Sequence, residues 1–373
     1  MFLLYFIIVV SFIDTFSQLP IITPFSMSLG ASSLLVGIII AAYSLSNIFG
    51  NIFSGLLVDR VGAKRILCVG MIAVSLFLLL YAFVTTPKQL LMVRFLHGLA
   101  GGFIVPAAFT ILAATKRGQG NGKKMALSGA AVGTAAIAGP ALGAVVSSRL
   151  GFDWLFYSMA MVMLTAALLA LLFLQEQEVK KEPNEQIESK SVSFTFSLKY
   201  AYLSIYLLLF TLGMLTFALP LKVSELGLQA VLTGPLLSTF GIVAIILFIL
   251  PTNRLYDRYS KTHLMSSGLI IISLALLTLA LAKESSHLFA AMSLYGIGFS
   301  FLFPSTSATV VESSLESKRG KSFGIYYACF SFGVISGSFL SGLVGWPPSE
   351  LFLAGMFVVI IAFGLFQFVS KLR

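Results

Sequence analysis

Charge is what this chain has least of. Asp, Glu, Lys and Arg make up 10% of its 373 residues, while 58% are apolar and the mean hydropathy is +0.99. Soluble domains carry about a quarter charged residues, so this scarcity excludes a water-soluble fold and predicts an integral membrane protein. Cysteine is nearly absent: Cys68 and Cys329 both fall in apolar segments, where they read as small buried side chains, and neither a disulfide framework nor a metal-binding spacing is available. The three histidines, His97, His263 and His287, stand far apart in sequence, with no arrangement suited to a metal or to a nucleophile and base. Room for a separate soluble domain is also missing. That excludes a cytosolic enzyme, a receptor with a sizeable ectodomain and a pump carrying its own nucleotide domain.

What is present is a run of apolar segments recurring roughly every 30 positions, each near the 20 or so residues a bilayer-spanning helix needs. Breaking the chain at Gly, Pro and charge clusters predicts helices near residues 2–22, 33–57, 66–85, 89–113, 125–148 and 153–174, then near 200–220, 231–251, 264–282, 287–310, 322–345 and 350–370. The first segment, 2–10, has no basic leader and no small-residue cleavage site, and is expected to be span one and not a signal peptide. Residues 175–199 are rich in Glu and Lys and read as a cytoplasmic linker between the sixes.

The net charge of +10 follows topology. Of the 24 Lys and Arg, nineteen lie in alternate loops or at the C-terminus, beginning with Arg60, Lys64 and Arg65; the intervening loops hold only Lys88, Arg149, Lys222 and Lys283, and Arg94 lies inside an apolar segment. By the positive-inside rule, the basic loops and both termini face the cytoplasm. A bilayer therefore accounts for the basic excess, and no nucleic-acid partner is expected. Gly118 to Lys124 imitates a phosphate loop, but Arg117 and Lys124 stand where that pattern needs Gly and Ser or Thr.

A shift of 198 residues superimposes the two halves. Leu57, Asp59 and Arg60 return as Leu255, Asp257 and Arg258; Gly98, Phe103 and Pro106 as Gly296, Phe301 and Pro304; Gly139 as Gly337. The expected fold is all-α and membrane-embedded, with twelve transmembrane helices in two parallel-related six-helix halves, 1–174 and 200–373. Such layouts belong to secondary transporters with a site at mid-depth.

Four stretches carry chemistry. At the inner end of span two, Gly55, Asp59, Arg60, Gly62, Lys64 and Arg65 closely resemble the signature of the major facilitator superfamily, and Asp257, Arg258 and Lys261 resemble its second copy. Gly55 is expected to admit a close backbone. The resemblance implies that Asp59 bonds the N-terminus of span eleven, near Ser322, and latches the cytoplasmic side; the basic residues on their own also set topology. In span four, Arg94 to Gly102 resembles the stretch of proton-coupled members, with His97 where they usually have Gln. A guanidinium inside a span needs a partner or a wet cavity, and His97 is either a neutral hydrogen-bonded imidazole or a titrating group. In span five, Gly139, Pro140 and Gly143 look like the Gly-Pro stretch of exporting members, although tight packing explains small residues there equally well.

Asp14 is the only acidic residue inside an apolar segment, and its surroundings are similar to the first helix of twelve-helix drug/proton antiporters. Helix rise places Asp14 and Arg94 about 6 Å apart in depth, within reach of an arginine side chain. At the 198 shift their counterparts are Leu212 and Met292, so proton coupling is expected in the first half, through Asp14, Arg94 and His97. Candidate substrate contacts are Gln18, Asn47, Tyr206, Tyr295, Phe301 and Tyr326. The resemblance implies a proton-driven exporter of small lipophilic molecules such as drugs. It would be monomeric, without cofactor or metal, and seated in the cell (inner) membrane. An importer or facilitator of a sugar or other metabolite uses the same fold, and a receptor or scaffold is the remoter reading.

Overall fold

The computed structural model describes residues 2–114, 121–174, 195–249, 259–313 and 319–371. Contacts divide the chain into two compact units, Met1–Ser189 and Lys190–Arg373. Among the described residues every regular element is helical. Eleven helices are long and apolar enough to cross a membrane, or twelve when a bent pair counts as one span.

The first unit contains α1 (Phe2–Gln18), α2 (Ile22–Ser28), α3 (Ser33–Val61), α4 (Ala63–Tyr81), α5 (Pro87–Ala114), α6 (Asn121–Leu150) and α7 (Phe152–Phe173). The second contains α8 (Phe196–Glu225), a 3-10 turn at Ala230–Leu232, α9 (Thr233–Ile249), α10 (Lys261–Leu281), α11 (Ser285–Ser313), α12 (Arg319–Val344) and α13 (Pro348–Lys371). The expected first span is in fact the bent pair: α1 ends at Gln18 and α2 leaves it at 49°. Pro20 sits in the break and has no N–H to continue the helical ladder. Span seven also runs longer than its sequence pattern suggested, because Pro220 is absorbed inside α8.

Within each unit the same partners meet. In the first, α1 packs on α6, α3 on α5, and α4 on both α5 and α7; in the second, α8 packs on α12, α9 on α11, and α10 on both α11 and α13. Lipid tails are as apolar as the side chains, so no hydrophobic effect holds these helices to one another, and close backbone approach takes over. Glycine makes the approach possible. A Cβ at Gly50 of α3 would stand 2.1 Å from the Leu99 carbonyl of α5, and one at Gly337 of α12 would stand 2.0 Å from the Phe210 carbonyl of α8. Large apolar side chains such as Leu172, Phe83, Met92 and Phe368 are exposed, as a lipid-facing surface requires and a water-facing one would not tolerate.

Gly62 alone joins α3 to α4. Its φ of 99° lies where L side chains are strained, and its N–H closes α3 on the Val58 carbonyl at 3.1 Å. This glycine of the loop signature thus folds one span directly into the next.

Candidate functional site

Asp14 and Gln18 are four residues apart on α1 and share a face, as do Arg94 and His97, three apart on α5. The two faces meet inside the first unit with Tyr43 of α3 and Tyr81 of α4. Burial there is nearly complete: relative exposure is 3% for Asp14, 2% for Gln18, 6% for Arg94, and none for His97 and Tyr81.

Both carboxylate oxygens of Asp14 are engaged. Gln18 donates from Nε2 to Oδ1 at 2.8 Å, and His97 Nε2 lies 3.0 Å from Oδ2. The other face of Gln18 accepts from Arg94, Nη1 to Oε1 at 2.6 Å. On its far side His97 Nδ1 meets the Tyr81 hydroxyl at 3.1 Å. The Arg94 guanidinium stands 4.6 Å over the Tyr43 ring, whose hydroxyl is 3.2 Å from Thr15 Oγ1. A cation over an aromatic face is attracted to its quadrupole most strongly when desolvated. Arg94 Nε is buried with no hydrogen-bond partner.

The depth arithmetic correctly put Arg94 within range of Asp14, but the direct contact it suggested is not made. Gln18 occupies the gap and His97 is the residue that pairs with the carboxylate. The expected substrate contact Gln18 is therefore an internal member of the cluster. Asn47 of α3 is partly buried, donating to the Gly98 carbonyl at 3.2 Å and accepting from Asn51 at 3.0 Å.

Gly139 and Gly143 hold α6 against the turn of α1 that follows Asp14. A Cβ on Gly143 would come within 1.9 Å of the Ser17 carbonyl, and one on Gly139 within 2.6 Å of Phe16 Cβ. The second unit builds the same contact without a proline: Gly333 and Gly337 of α12 press on α8 at Tyr206 and Phe210. Packing thus accounts for the glycines, and Pro140, inside α6, is what sets the first unit apart.

The loop signature is placed in part. Arg60 stands in the last turn of α3 and is exposed, as is Arg65, while Lys64 is partly buried in the first turn of α4. Gly55 does not perform the close approach expected of it, since a Cβ there would meet nothing within 4 Å; Gly50, on a buried face of the same helix, does so instead. The side chain of Asp59, and Asp257 and Arg258 altogether, lie outside the described residues. Lys261, closing the second copy, begins α10 and pairs with Glu312 near the end of α11.

In the second unit the counterpart of His97 is Tyr295. It is fully buried, with its hydroxyl 3.0 Å from Thr211 Oγ1 and donating to the Leu208 carbonyl at 3.3 Å. The first and fourth helices of the two repeats are therefore pinned at the same place, by an acid and an imidazole in one and by two hydroxyls in the other. Tyr326 is buried as well, 3.1 Å from Thr306. Tyr206 and Phe301 are partly buried, and Ser336 donates to the Tyr206 hydroxyl at 3.1 Å. Sequence reasoning missed Tyr81, Tyr43 and Thr15, which nothing in their local sequence distinguishes from other tyrosines and threonines.

The profile of the Major Facilitator Superfamily matches residues 4–250 and 201–371, both halves of the chain. The chain belongs to this superfamily. It is a multi-pass membrane transporter of a small-molecule substrate, and not an enzyme. Among similar proteins, an uncharacterized MFS-type transporter of Methanocaldococcus jannaschii is 22% identical, the alignment covering 91% of each chain. Multidrug resistance protein 1 of Bacillus subtilis is 24% identical over 90% of this transporter and 87% of its own length. Among solved structures, a mutant of the nucleoside transporter NupG matches with a TM-score of 0.79 and 17% identity over 98% of this chain and 99% of its own, which establishes the major facilitator fold.

Proposed function

We propose that this transporter is a proton-coupled exporter of small lipophilic molecules, exchanging protons for substrate by alternating access. The observation that carries the reading is Asp14, a carboxylate 3% exposed within a membrane span and hydrogen-bonded on both oxygens. An ionisable group at that depth is expensive to keep, and such groups line proton and ion pathways. Arg94, linked to it through Gln18, offsets the charge when Asp14 is ionised.

In this mechanism Asp14 is unprotonated on the cytoplasmic side and admits substrate. On the outer side proton uptake at the site built around Asp14 displaces the substrate, and the return of the protonated carrier completes the cycle. The latch residues Asp59 and Asp257 stabilise the outward-facing state from the cytoplasmic rim, both termini are cytoplasmic, and the monomer in the inner membrane is the working unit. The driving force is the proton gradient, without cofactor. Multidrug resistance proteins among the relatives support export of lipophilic compounds.

The test is uphill uptake of a panel of lipophilic drugs into inside-out vesicles under an acid-inside pH gradient. Accumulation that vanishes when the gradient is collapsed supports the reading. Counterflow that is indifferent to the gradient moves the weight to a facilitator of a metabolite.

A further inference from the structure

His97 puts an imidazole in contact with the buried carboxylate of Asp14. His97 Nε2 lies 3.0 Å from Asp14 Oδ2 with neither group open to water, and His97 Nδ1 lies 3.1 Å from the Tyr81 hydroxyl. The titratable and charged groups facing the pair, among the described residues, are Arg94 on the same helix, Tyr43 from α3 and Tyr81 from α4. From α6 the uncharged glycines 139 and 143 pack on Phe16 and Ser17, the turn after Asp14, and from α7 Phe156 stacks on Tyr81 with ring centroids 4.4 Å apart.

Resting on the exchange mechanism above, we propose that the transported proton is carried by the Asp14–His97 pair, on the imidazole, with Asp14 remaining ionised and Tyr81 as the positioning residue. In the unprotonated pair, Nε2–H donates to the Asp14 carboxylate and the Tyr81 O–H donates to Nδ1, so every atom of the chain is paired. One proton from the outer water adds to Nδ1. The imidazole becomes an imidazolium that donates from Nε2 to Asp14 and from Nδ1 to the Tyr81 oxygen, and Tyr81 changes from donor to acceptor. Release on the cytoplasmic side removes the same proton and restores the first arrangement, with no other group gaining or losing one. The hydrogen-bond chain thus links α1, α5 and α4, so the protonation state is read on three helices at once. The second unit, with Tyr295 and Thr211 at the equivalent contact, holds its helices together without a titratable pair at neutral pH.

Two measurements test this. The first is the pH dependence of gradient-driven uptake for the wild type and His97→Gln, a substitution that removes the imidazole and keeps a hydrogen-bonding side chain. Without the imidazole the proton has only the carboxyl to occupy, whose ordinary proton affinity is lower, so the midpoint is expected to move toward acid by about one pH unit or more. A midpoint that stays in place while only the rate falls overturns the proposal. The second is the infrared difference spectrum between acid and neutral pH for the wild type, His97→Gln and Asp14→Asn. The proposal expects no Asp14-dependent protonated-carboxyl band in the wild type and the appearance of one in His97→Gln. Such a band in the wild type places the proton on Asp14 itself and overturns the pair. Failure of the underlying exchange reading looks different: the wild type then shows no uphill uptake at any pH, and the infrared bands still report where the proton resides.

Discussion

Gln18 stands between Arg94 and Asp14, giving its amide N–H to the carboxylate at 2.8 Å and taking a hydrogen bond from the guanidinium at 2.6 Å. A neutral side chain thereby joins two opposite charges that do not touch. The bridging amide keeps the guanidinium off the carboxylate and leaves its second oxygen to His97.

Replacing Gln18 by Leu keeps roughly the volume and removes the bridge. The Arg94 donor and Asp14 Oδ1 would then both be buried without a partner, and each such group costs about 1–3 kcal/mol. The expected result is a lower melting temperature in detergent together with slowed exchange. Unchanged stability would mean that Arg94 and Asp14 close up directly once the amide is gone.

Gly143→Val tests the contact between α1 and α6. The new side chain meets the Ser17 backbone carbonyl, which cannot rotate away, so the two helices must separate. Overpacking of this kind costs about 1–3 kcal/mol. The same substitution at Gly55, where a Cβ meets open space, should change the melting temperature far less, and comparing the two variants in one thermal-shift series checks the claim.

Gly62→Ala tests the turn between α3 and α4. With φ 99° and ψ 142° Gly62 sits in a region nearly confined to glycine, where holding an L residue costs about 1–3 kcal/mol, so the variant should lose stability without any change in charge. Wild-type stability would mean that the loop signature keeps its glycine for a different reason.

Tyr295→Phe and Tyr81→Phe separate the two repeats. Each removes one buried hydroxyl whose hydrogen bond contributes about 1 kcal/mol. The Tyr295 hydroxyl bonds Thr211 and the Leu208 carbonyl, neither of them titratable, so its loss should lower stability and leave the pH midpoint of uptake in place. Tyr81 meets His97, and its loss should move that midpoint.

Much of this was legible in the sequence, for identifiable reasons. Hydropathy and the 198-residue shift located the spans because a bilayer demands long apolar segments and the two copies kept their glycines. Asp14, Arg94 and His97 stood out because charge and imidazole are rare inside apolar helices. The cluster's full membership did not stand out. A membrane helix is apolar on every side, so its sequence does not announce which way it is rotated, and the convergence of Tyr81 and Tyr43 on His97 depends on the rotation of α3 and α4. Gln18 was singled out as polar, but its partners were not evident, because the choice between a ligand and Arg94 is made by how α1 and α5 pack on each other. Gly55 misled because the spacing of small residues on a helix does not reveal which one faces the neighbour.

The central claim is that Asp14 couples substrate movement to protons. The measurement that tests it most directly compares wild type and Asp14→Asn for drug accumulation in inside-out vesicles under an acid-inside gradient. Asn retains an acceptor for Gln18 and a polar group toward His97, so folding and substrate binding should survive. The account predicts uphill accumulation in the wild type and none in the variant, with binding intact in both. Gradient-driven accumulation at wild-type level in Asp14→Asn would contradict it.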